Sequence, residues 1–156
     1  MASRRRKARE IALEVLYQID LVKADPDEAL ELALSKENLQ PSIEAFTRDL
    51  VKKTVANQTF IDENIVKFAD NWALNRMATL DRCILRFAIT ELLNFPDIPV
   101  NVTINEAVEI ARKYSTERSS EFVNGILDKA HRELMPGNKD AGLNDNSKEK
   151  PSNSEA

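Results

Sequence analysis

The chain of 156 residues carries a net charge of −4 and holds only three glycines, Gly125, Gly137 and Gly142. With none before residue 125, a glycine-rich phosphate loop is excluded and β-hairpins are disfavoured, because both use glycine where φ must be positive. A lone Cys83 and a lone His131 exclude an intrachain disulfide and a thiolate zinc cluster. They also leave a histidine metal site or a serine–histidine relay little to work with.

Hydrophobic residues make up 42% of the chain, enough for one domain with a real core. No apolar run approaches the roughly 20 residues of a membrane span. The apolar stretch after the N-terminal arginines is interrupted by Glu10, Glu14 and Gln18, so it does not read as a signal peptide. A soluble, all-α protein of a reducing compartment, the cytoplasm, is expected.

Apolar spacing predicts helix almost throughout. The first helix runs from about Ser3, a candidate cap, to Ala24. Its polar stripe is Glu10, Glu14 and Gln18, and Ile11, Ala12, Val15, Leu16, Ile19 and Val22 cover the rest. Asp25-Pro26-Asp27-Glu28 restarts the chain with capping-box spacing and a proline at the first helical position.

Pro41 opens a third helix with Ile43, Phe46, Leu50 and Val51 on one face. Asn57-Gln58-Thr59 weakens that pattern, and Ile61, Ile65, Phe68 and Trp72 resume it at i, i+4, i+7, i+11, with a break near residue 58. Asn75 is the candidate cap of the next helix, whose core side is Met77, Leu80, Ile84, Phe87, Ala88 and Leu92.

That helix must end before Pro96. After a rigid Pro96–Pro99 connector, Thr103 and Glu106 have the spacing of another capping box. Tyr114–Ser120 reads as a polar turn, and Ser119 or Ser120 as the cap of a last helix with Phe122, Val123, Ile126, Leu127, Ala130 and Leu134. From Pro136 apolar residues almost vanish, so 136–156 is expected to be a disordered polar tail behind a helical domain of residues 1–135. About seven helices joined by short turns predict a compact bundle.

Charge is concentrated at one end. Residues 4–9, Arg-Arg-Arg-Lys-Ala-Arg, contain five cations; taking these from a net −4 leaves −9 on the rest of the chain. Guanidinium groups pair bidentately with phosphates, and cations at a helix N-terminus oppose the helix dipole unless an anion is bound. Arginine-rich segments are an RNA-binding device, so this cluster points to nucleic acid. Its alternative is a solvated terminus.

Arg82 and Arg86, one turn apart, either extend a basic surface or form ion pairs. Tyr114 and Phe122 flank a turn and can stack on unpaired bases, although Phe122 also fits a core position. Gly125, inside a helix, suggests close packing by another helix or a ligand. Cys83 and His131 read as structural or exposed. No paired carboxylates, metal-ligand spacing or nucleophile elbow stands out.

Four blocks together resemble the NusB family of bacterial transcription antitermination factors. They are Arg4–Gln18 with Arg-Arg-Arg-Lys-Ala-Arg-Glu-Ile-Ala-Leu-Glu-Val-Leu-Tyr-Gln, Leu80–Leu93, Ile98–Tyr114 and Phe122–Asp128. The resemblance implies an all-α fold of two subdomains and no catalysis. It also implies binding to the boxA element of nascent ribosomal RNA, with the ribosomal protein NusE as partner, within the RNA polymerase antitermination complex.

Carried onto this chain, the family pattern makes Arg5, Arg6 and Arg9 the RNA grip. Tyr114, Ser119 and Phe122 line the adjoining RNA surface, and Arg118 adds a contact that is not always basic in the family. Tyr17 and Asp81 face NusE; Asp81 stands where a longer acid is common. No metal or cofactor is implied. Two other roles compete: a helical RNA-binding module acting with a separate ribosomal RNA methyltransferase, and a dimerisation module, since some family members self-associate when free of RNA.

Overall fold

The computed structural model describes residues 2–135, with side chains from Arg4 onward. The tail at 136–156 and the side chain of Ser3 lie outside the described residues. Seven α-helices and one short 3₁₀ turn follow in order, with no strand among the described residues: α1 Ala2–Val22, α2 Pro26–Ser35, α3 Pro41–Ala56, α4 Gln58–Phe68, the 3₁₀ turn Leu74–Arg76, α5 Thr79–Asn94, α6 Val100–Tyr114 and α7 Glu117–Leu134.

Helix α5 is the axis. Every residue from Cys83 to Leu92 is buried, because α1, α3, α4, α6 and α7 all pack against this helix. Helices α1, α2 and α3 also pack on one another, as do α6 and α7, so two helical groups share α5. A helix buried all round must satisfy its polar side chains internally. Between Cys83 and Leu92 these are Arg86, Thr90 and Glu91, and each has a partner: Asp62 and Asp20 for Arg86, the Arg86 carbonyl for Thr90, Arg9 for Glu91.

Local signals hold where they depend only on neighbours. Asp25 caps α2 by accepting from the Glu28 amide at 3.0 Å, Pro26 and Pro41 occupy first turns, and α3 breaks from α4 at Asn57. Other expectations are corrected. Asn75 lies in the 3₁₀ turn, and α5 begins at Thr79 without a side-chain cap.

Thr103 and Glu106 do not open α6, which starts at Val100 behind Pro99; both are buried within it. Thr116, not Ser119 or Ser120, caps α7 by accepting from the Ser119 amide at 2.9 Å. Trp72 does not continue the apolar face of α4, which ends at Phe68; it stands 46% exposed. No helix among the described residues is long and apolar enough to cross a membrane.

Candidate nucleic-acid interface

The arginine cluster divides by depth. Arg4 and Lys7 are exposed, and Arg4 donates to Gln40 at 2.8 Å. Arg5 is half-buried, with its guanidinium 4.6 Å from the centre of the Phe46 ring, a cation–π contact that leaves its N–H groups for another acceptor. Arg6 is held in a fork by Glu106, its side chain still 31% exposed.

Arg9 is a correction. It is 1% exposed, and its Nε and Nη2 donate to the two oxygens of Glu91 at 2.8 and 2.7 Å. Thr103 donates to the same carboxylate at 2.7 Å. Arg9 is therefore an interior strut between α1 and α5, and not an RNA grip in this conformation. The sequence held a clue, because Arg9 shares its helical face with the buried Leu13 and Leu16 at i+4 and i+7.

The pair Arg82 and Arg86 resolves the same way. Arg82 forks onto Asp20 at 2.7 and 3.2 Å, and Arg86 reaches Asp62 at 2.8 Å and Asp20 at 2.9 Å. Burial alone would raise the Asp20 carboxyl, but the hydrogen bond from Arg82 and the charge of Arg86 hold it below the ordinary carboxylate range. These arginines tie α1, α4 and α5 together and add no basic surface.

At the other end of the candidate surface, Tyr114 is 43% exposed at the close of α6, and Arg118 is exposed on the first turn of α7. Lys113 lies 5.0 Å from the Tyr114 ring centre and donates to Glu10 at 3.0 Å, joining α6 to α1. Phe122 is half-buried and packs edge-to-face on Trp72, with ring centres 5.7 Å apart.

Ser119 is almost buried and serves the fold: its hydroxyl donates to Asp81 at 3.0 Å and lies 2.9 Å from the Ser115 hydroxyl. Asp81 is 7% exposed, so it is not a free surface charge, and its Oδ1 is buried without a hydrogen-bond partner among the described residues. Burial pushes its carboxyl above the ordinary range, against the pull of the Ser119 and Ser115 hydroxyls.

Tyr17 and Tyr114 both line a groove of about 260 Å³, together with Ile11, Leu80, Glu10 and Glu14. The residues read separately as partner-facing and RNA-facing thus border one concavity. Of the two readings of Gly125, a packed helix is set aside: a Cβ built there meets nothing within 4 Å among the described residues. Among the described residues no group of three or more metal-ligating side chains could hold an ion.

Comparisons with known proteins identify the family and the fold. The model of the NusB family matches residues 6–132. Transcription antitermination protein NusB of Heliobacterium modesticaldum is 45% identical over 130 residues; the match takes in 83% of this chain and 63% of that relative, so the chain spans just under two thirds of its length. Among solved structures, T. maritima NusB superposes with a TM-score of 0.78 at 38% identity, covering 83% of this chain and 91% of that one. A crystal structure of antitermination factors NusB and NusE in complex with dsRNA gives 0.78 at 26% identity, covering 85% and 98%. The chain belongs to the NusB family.

Proposed function

We propose that this protein is a non-catalytic, cytoplasmic antitermination factor. It binds the boxA element of nascent ribosomal RNA together with NusE and so joins the RNA polymerase antitermination complex. The observation that carries this reading is the likeness, over 98% of its partner's length, to a chain of the complex of NusB, NusE and dsRNA. Its chemistry on this chain follows from exposure: Arg4, Arg5 and Lys7 at one end and Tyr114, Arg118 and Phe122 at the other offer cations for phosphates and rings for unpaired bases.

Arg6 joins the RNA set only by leaving Glu106, and Ser119 and Arg9 act from behind by fixing the surface. Tyr17 and the shared groove supply the edge toward NusE, and Asp81 joins it only by turning out of its buried position. Calorimetric titration of a boxA single strand and a scrambled strand, with and without NusE, tests this reading. It predicts preference for boxA and tighter binding when NusE is present. Equal affinity for both strands, unmoved by NusE, contradicts it.

A further inference from the structure

Helix α7 carries Arg118, Phe122, Gly125 and Lys129 at i, i+4, i+7 and i+11, which aligns them along one stripe. The stripe is cationic at both ends, aromatic at its first inner position and bare at the second. A glycine inside a helix destabilises it relative to alanine, and here no atom of the described residues lies where the missing Cβ would point. The bare position is therefore unexplained by packing among the described residues.

Beside the stripe stands Trp72. Its backbone approach is costly: Asp70 and Asn71 both adopt left-handed φ, 56° and 65°. Lys129 holds this turn, donating to the Phe68 carbonyl at 3.1 Å with Asp70 Oδ1 at 3.7 Å. The result places the indole edge-to-face with Phe122 at an interplanar angle of 80°. In such a pair each ring keeps at least one face its neighbour does not cover. Trp72 is 46% exposed, so the pair with Phe122 leaves much of it open to solvent.

Resting on the RNA reading above, we infer that Trp72 is a base-stacking residue of that surface: an unpaired base stacks on the indole beyond Phe122 while the strand passes over Gly125. Base–aromatic stacking tolerates any base, so Trp72 lengthens the RNA footprint without selecting sequence. Arg118 supplies an exposed cation for the strand's phosphates at one end, and a side chain at 125 would stand in its path.

Trp72 is the chain's one tryptophan, so its emission reports the contact directly. Unlabelled boxA RNA, titrated into the protein with and without NusE, should quench indole emission along the isotherm that calorimetry gives. Trp72→Ala should weaken binding about tenfold, and Trp72→Phe should restore most of it. Gly125→Ala separates ligand approach from folding, because it should raise Tm and yet weaken RNA binding.

RNA that binds without changing the emission, with Trp72→Ala and Gly125→Ala binding as the parent does, overturns the inference and leaves the RNA reading intact. An emission change caused by NusE alone and not by RNA overturns it in favour of a protein contact. Absence of any RNA binding overturns both.

Discussion

Arg9 and Glu91, 82 residues apart, meet in the interior as a two-pronged ion pair whose side chains are 1% and 0% exposed. The pair fastens α1 to α5, and Thr103 of α6 completes the carboxylate's hydrogen bonding. Removing one partner from such a pair strands a buried charge, at about 3–5 kcal/mol. Arg9→Ala is expected to lose stability on that scale in urea titration, while Arg5→Ala stays within about 1 kcal/mol of the parent. Equal, small losses would show that Arg9 is not the strut described.

Glu106 sits between two arginines. It forks onto Arg6, and its Oε1 lies 3.6 Å from Arg9 Nη1, a buried nitrogen without a hydrogen bond among the described residues. The carboxylate thus competes with any phosphate for Arg6. Glu106→Gln should free Arg6 and steepen the salt dependence of RNA binding by about 0.7 in log–log slope, the value for one more neutralised phosphate on a single strand. An unchanged slope would mean that Arg6 stays out of the interface.

Acid stability follows from Asp20. Its folded carboxyl titrates below the ordinary 3.8, so its contribution is present above that value and is lost as pH falls through the depressed one. Asp20→Asn should cost about 1.5–3 kcal/mol at neutral pH, the scale of hydrogen bonds to a charged group. The gap from the parent should close as pH drops below 3.8. Thermal melts across pH 2–7 check it, and a gap that widens in acid contradicts it.

Much of the fold was legible because its signals are local. Prolines at 26 and 41, the Asp25 cap and the apolar faces depend on neighbours within a turn. Thr103 and Glu106 show the limit. Spacing of i, i+3 suits a capping box and equally one face of a helix interior, and the partners that decide, Arg6, Arg9 and Glu91, are distant in sequence. The arginine cluster mixes exposed and buried side chains, and five cations in six residues do not announce which one turns inward. Trp72 escaped notice as a surface residue because it keeps the apolar register of α4 four residues beyond that helix's end.

Cys83 offers a readout of the α5 axis. Burial pushes its thiol up to about 12, so little thiolate exists at neutral pH and reagent cannot reach it. Labelling by a disulfide reagent should be slow in the native protein and become complete across the urea transition. Rapid native labelling would mean that α5 opens locally.

The account rests most heavily on which cations meet RNA. Affinity for a boxA strand, measured from low to physiological salt, gives a log–log slope that counts neutralised phosphates. Replacing both Arg4 and Arg5 with alanine should reduce that slope by about 1.4 while the melting curve stays close to the parent's. A slope identical to the parent's would contradict the placement of the RNA surface at the exposed start of α1.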